Sequence, residues 1–130
     1  MIEFHLSSRS GVSPYMQIVQ QVRQALRLGL LCDGDQLPTV KEVVTRLAIN
    51  PNTVLKAYRE LEHAGLVAAR PGAGTFVTGS LADPAIAANG PLRRELRGWI
   101  VEARSAGLDE ESIEAVFRDA VRSARIEGVA

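Results

Sequence analysis

Apolar residues recur along this chain at two periods, and the switches between them divide it into elements. Ile2, Phe4 and Leu6 alternate with Glu3 and His5, which predicts a short half-buried strand over residues 2–6. After the turn-rich SSRSGVSP, Tyr15, Ile18, Val19, Val22 and Leu26 fall at helical spacing. Ser13 as cap, Pro14 as first helical residue and Gly29 as stop predict an amphipathic helix over roughly 14–29. CDGDQLP is a loop with room for a short strand at Gln36–Leu37. Thr39 followed three residues later by Glu42 is a capping box, opening a short helix with Val40, Val43, Val44 and Leu47 as its buried stripe. Asn50 caps the next helix, with Pro51 behind it. Val54, Ala57, Tyr58, Leu61 and Ala64 make the apolar face, and Gly65 ends the helix.

Two short helices across a tight Ala48-Ile49-Asn50 turn are the pattern of a helix-turn-helix. LVAAR and TFVT, separated by PGAG, predict a β-hairpin that projects beyond them. The fold class expected is therefore α+β and mostly helical: an N-terminal winged helix-turn-helix, residues 1–80, followed by a two-helix C-terminal dimerisation tail. Residues 81–91 lie in the small, almost uncharged stretch GSLADPAIAANGP and read as a linker. In the tail, residues 92–130, Leu92, Leu96, Trp99, Ile100 and Ala103 mark one helix, stopped by Gly107. Asp109 caps a second, with Ile113, Val116, Phe117, Ala120, Val121 and Ala124 on one face. Two helices of about four turns cannot bury both stripes on each other, so a second copy of the chain is expected. Leu92, Leu96, Trp99, Ile100, Ile113, Val116, Phe117 and Ala120 are its expected contacts.

Composition narrows the class. Apolar residues make up 46% of 130, enough for a packed core. A single cysteine, Cys32, rules out an intramolecular disulfide framework and points to a reduced, cytoplasmic protein. A redox role for Cys32 stands against the commoner inert, half-buried thiol. The N-terminus lacks a signal-peptide pattern, and no apolar run approaches the ~20 residues of a membrane span. Formal net charge is zero, with eight Lys or Arg against six Asp or Glu in residues 1–80 and seven against nine thereafter. Any anion-binding surface must therefore be local.

The local candidate is the start of the helix after Asn50, where Asn52, Thr53, Lys56 and Arg59 crowd together. A helix N-terminus offers free N–H groups and a positive dipole end. The second helix of a helix-turn-helix enters the major groove with that end toward the bases. Asn52 suits bidentate reading of adenine, Thr53 a base or phosphate, and Lys56 and Arg59 phosphate or guanine. Arg70, leading into the Gly-rich hairpin tip, suits a minor groove or phosphate. The bland alternative is that Asn50 and Thr53 only cap while the cations are solvated.

An enzyme is not expected. His5 and His63 lie far apart on different elements, Cys32 has no partner His, and no Cys/His group has zinc spacing. The glycines of GAG follow no βαβ unit, so no cofactor is expected. The competing binding class is a winged-helix protein-interaction module that dimerises without reading DNA.

The stretches SPYMQIVQQVRQAL, GDQLPTVKEVVTRLAINPNTVLKAYRELEHAGLV and RPGAGTFV together resemble the DNA-binding domain of the GntR family of bacterial transcription regulators, from about Val12 to Val77. The short tail is similar to that of the YtrA subfamily. The resemblance implies a homodimer on a palindromic double-stranded DNA operator, repressing an operon that contains its own gene and often ABC-transporter genes. It places DNA contacts at Thr39 and Lys41, at Asn50, Asn52 and Thr53, and at Arg70, Gly72 and Gly74. Leu55 departs from the Arg that many members carry there, and Pro71 and Ala73 replace a basic wing tip. Leu55 could touch a thymine methyl instead. A small-molecule effector, if one is sensed, would bind at the dimer interface or between tail and head.

Overall fold

The computed structural model describes residues 1–127, with six helices and one hairpin among them. They are α1 (Pro14–Arg27), α2 (Val40–Leu47), α3 (Pro51–His63), β1 (Val67–Arg70), β2 (Gly74–Val77), α4 (Pro84–Ala88), α5 (Gly90–Ser105) and α6 (Glu110–Glu127). Contacts divide the chain after Ala87 into two compact units. The fold is mostly helical with a two-stranded antiparallel sheet, a winged helix-turn-helix followed by C-terminal helices. No helix among the described residues is long and apolar enough to cross a membrane.

In the first unit α1 and α2 both pack on α3. Ile18, Val22 and Leu26 of α1 and Val54, Ala57 and Leu61 of α3 are sealed from solvent, with Leu37 and Val77 completing the core. Each large apolar side chain so buried contributes about 1.5–3 kcal/mol, which makes this stripe the main determinant of helix orientation. The α2 capping box forms as expected: the Glu42 N–H donates to Thr39 Oγ1 at 3.1 Å, and the Thr39 N–H to Glu42 Oε1 at 3.3 Å. Closure of α3 falls to Gly65, whose φ of +78° lets the Leu66 N–H reach back to the Leu61 carbonyl at 3.0 Å. Between α2 and α3 the chain turns through Ala48 at φ +53°, a left-handed position held by a residue with a Cβ. Ala64 caps α3 and is exposed, so the buried stripe stops at Leu61.

The N-terminal segment corrects the expected strand. Residues 2–6 bury Phe4 and half-bury Ile2 and Leu6, as the alternation implied, yet they pair with side chains. The His5 N–H donates to Gln21 Oε1 at 3.0 Å, and Gln21 Nε2 donates to the His5 carbonyl at 2.6 Å. Gln17 clasps Ser7 in the same way, at 2.8 and 3.0 Å. Two glutamine amides of α1 thus stand in for a neighbouring strand. Ser13 precedes α1 without a side-chain cap bond. Gln36 forms the expected short strand as a single antiparallel bridge to Phe76. Within the segment expected as linker, Pro84–Ala88 is one short helix.

In the second unit, Asp109 Oδ1 accepts the Ser112 N–H at 2.8 Å and caps α6; that bond lowers the Asp109 pKa. Ala103 and Ile113 are buried, Trp99 and Ile100 half-buried. Leu92, Leu96, Val116 and Phe117 remain 61%, 42%, 44% and 46% exposed, and Ala120 is exposed. Residues 128–130 of the expected tail lie outside the described residues.

Tyr58 ties α3 to the start of α2, its hydroxyl donating to the Pro38 carbonyl at 2.6 Å. Burial, with the Glu42 carboxylate adding to it, raises the phenol above its usual pKa. The folded state therefore holds this proton more tightly than the unfolded chain does. The resulting stabilisation is complete below the unfolded phenol's pKa of about 10 and is lost as pH rises beyond it. Tyr58→Phe should cost about 1–3 kcal/mol in urea melts at neutral pH, because the Pro38 carbonyl loses its donor. The same variant should lose less stability than the wild type on going from neutral to strongly alkaline pH.

Candidate nucleic-acid interface

Sealing Val54, Ala57 and Leu61 against α1 leaves the opposite face of α3 in solvent. Asn52, Lys56 and Arg59 are all exposed on it, at steps of four and three residues. Asn50 Oδ1 accepts the Asn52 N–H at 2.8 Å, and the Thr53 N–H donates to the Asn50 carbonyl at 3.0 Å, which fixes the first turn. The Asn52 side-chain amide has no hydrogen-bond partner among the described residues and is exposed to solvent. Thr53 and Leu55 are half-buried beside it.

The wing is braced from an unforeseen direction. Gln36 Nε2 donates to the Ala73 carbonyl at 3.1 Å, while the Leu37 N–H donates to the Thr75 carbonyl at 2.9 Å. Pro38 and Thr39 follow directly, so the wing tip and the start of α2 are two ends of one tied segment. Thr39 and residues Ala69 to Thr75 line a common concave surface, which brings Thr39, Arg70, Gly72 and Gly74 together. Lys41 is exposed in the first turn of α2.

Two of the candidate cations rest on aromatic rings. Lys56 Nζ lies 3.9 Å from the centroid of Tyr15 at the start of α1, and the Arg70 guanidinium 4.6 Å from that of Phe76. Exposed contacts of this kind contribute about 0.5–1 kcal/mol. A charge-assisted bond to phosphate is worth roughly 1.5–3 kcal/mol, so the rings orient these cations without withholding them. In the sequence Tyr15 reads as a helix-face residue and Gln36 as strand, and none of Tyr15, Gln36 and Phe76 as part of the site. Gln36 is 37 residues from its partner, a separation no local pattern reveals. Cys32, expected half-buried, is exposed, with Sγ 3.7 Å from the Gly29 carbonyl.

A winged helix with an exposed second helix, a free amide in its first turn and a Gly-rich tip beside it defines a helix-turn-helix of the DNA-binding class. The chain belongs to the GntR family of bacterial regulatory proteins, whose model matches residues 14–77. It is 34% identical over 109 residues to the HTH-type transcriptional repressor YtrA of Bacillus subtilis, an alignment spanning 83% of this chain and 84% of the relative. Among solved structures it is similar to YtrA from Sulfolobus acidocaldarius, a GntR-family transcription factor, at a TM-score of 0.54 and 26% identity over 78% of this chain and 97% of that one. AraR(DBD) in complex with operator ORR3 matches at a TM-score of 0.50 and 25% identity, covering 59% of this chain and 93% of that one. The chain is a transcription regulator of this family, carrying its DNA-binding helix-turn-helix.

Gly74 holds the wing in a form no other residue fits without strain. Its φ is +126°, and a Cβ there would lie 2.6 Å from Gln36 Nε2. Gly74→Ala should destabilise the head by about 1–3 kcal/mol in thermal or urea melts. Gly72→Ala, whose Cβ would meet open space, should cost less.

Proposed function

We propose that this chain is a repressor that binds a palindromic operator as a homodimer, in front of an operon containing its own gene and ABC-transporter genes. One observation carries the reading: the first turn of α3 presents an unpartnered Asn52 amide while its apolar stripe is sealed in the core. Asn52 would read a base edge, Thr53 a base or phosphate, and Arg59 phosphate further along the groove. Thr39, Lys41, Arg70, Gly72 and Gly74 would hold the backbone on either side. That the similar AraR(DBD) is in complex with an operator supports DNA as the partner. The repressor assignment leans on the name of the B. subtilis relative, and the operon on family resemblance.

A dimer supports the two-fold operator, and the exposed Leu92, Leu96, Val116 and Phe117 support a dimer held through the tail. Half-site centres would then lie about one turn, 10 base pairs, apart. Removing residues 91–130 should give monomers with far weaker DNA binding; sedimentation showing an unchanged dimer contradicts this.

Reading and holding separate by mutation. Asn52→Ala should weaken binding to the DNA upstream of its own gene by roughly 1–3 kcal/mol while leaving scrambled duplex nearly unaffected. Lys41→Ala and Arg70→Ala should weaken both and reduce the salt slope by about one unit each. Equal loss on both duplexes for Asn52→Ala would make it a backbone contact instead.

A further inference from the structure

The tail hairpin sorts its charge by position along its length. Loop 106–109 joins α5 and α6, and Arg104 lies 3.9 Å from Glu110 beside it. Leu96 of α5 shares a hollow with Ala120, Val121 and Ala124 of α6, so the two helices run antiparallel. At the open end, residues 90–100 and 118–127, Arg93, Arg94, Arg97, Arg118, Arg122 and Arg125 stand against Glu95, Asp119 and Glu127, a net +3. At the turn end, residues 101–117, Glu102, Asp109, Glu110, Glu111 and Glu114 stand against Arg104, a net −4. None of the six open-end arginines forms a salt bridge among the described residues. Arg93 moreover closes the first turn of α5, where the positive end of the helix dipole disfavours cations. The uncovered apolar face runs along both ends, with Leu92 61%, Phe117 46% and Val121 48% exposed.

We propose that a second copy of this chain covers that face in antiparallel orientation, the acidic turn end of each tail lying against the arginine end of the other. The proposal rests on the dimer reading above and adds its geometry. Two symmetric arrangements bury the same apolar face. A two-fold axis along the hairpin sets +3 against +3 and −4 against −4; an axis across it sets +3 against −4 twice. Hydrophobic burial does not distinguish them, so charge decides, as flanking charges decide orientation in helical bundles.

Sedimentation equilibrium of the full chain without DNA tests this. Raising NaCl from about 0.1 to about 1 M shortens the Debye length from roughly 10 to 3 Å and should raise the dimer Kd, because attraction is being screened. The triple variant R93E/R94E/R97E keeps strong helix formers at all three positions, and circular dichroism of the variant checks that helix content is unchanged. It should raise Kd by at least about tenfold. Adding E110R/E111R/E114R to the same chain, compared at equal helix content by circular dichroism because Glu110 and Glu111 suit the α6 dipole, should restore dimerisation. A Kd that falls with salt, an arginine variant that dimerises as well as the wild type, or a combined variant that stays dissociated overturns the proposal. An arginine variant that loses DNA affinity at unchanged dimer Kd also overturns it, and assigns the arginines to nucleic acid. A wild-type chain that stays monomeric at every concentration removes the dimer reading itself.

Discussion

Burial of one stripe of α3 against α1 dictates where the rest of the head can point. Val54, Ala57 and Leu61 are at most 1% exposed, and no rotation of α3 keeps them so while turning Asn52, Lys56 or Arg59 inward. The stripe contributes several kcal/mol, whereas caps contribute about one each, so packing sets the orientation and the caps only set the ends. Tyr58 then extends the constraint outward. Its hydroxyl holds the Pro38 carbonyl, which fixes the start of α2, and Gln36 on the same segment holds the wing. Core, first turn of α2 and wing tip are linked through these two hydrogen bonds.

A chain of zero net charge must concentrate its attraction for polyanions rather than spread it. On the proposed reading the head does so with helix ends, a Gly-rich tip and a few cations, two of them resting on Tyr15 and Phe76. Contacts worth about 1 kcal/mol restrict side-chain rotamers in the free protein yet yield to phosphate, which lowers the ordering cost of binding. The tail uses charge differently, with opposite signs gathered at opposite ends of one hairpin.

How much of this was legible in the sequence depended on the range of each interaction. The α2 capping box, the Pro51 start and Gly65 stop of α3, and the hairpin are local patterns, and the structure contains them. The alternation over residues 2–6 named the inward residues but not the partner, because nothing local says that Gln17 and Gln21 would replace a strand. Ala64 followed the helical period one step beyond the buried core, since periodicity does not register where a neighbouring element ends. In the candidate site, Asn52 and Arg70 were visible as chemistry, whereas Gln36 and Phe76 act through tertiary contacts and carried no signal. Lys56 was assigned to the exposed face by its period, and only the fold brings it over Tyr15.

The central claim is that sealing the α3 stripe makes its first turn, with the start of α2 and the wing, the DNA-contacting surface. Amide chemical-shift mapping of the full chain, titrated with duplex from upstream of its own gene, tests it most directly. The largest changes should fall at Lys41, Asn52, Thr53, Gly72 and Gly74, with the Gln17–Ser7 and Gln21–His5 clasps unchanged. Largest changes at residues 2–7 or along α1, with the first turn of α3 silent, would contradict it.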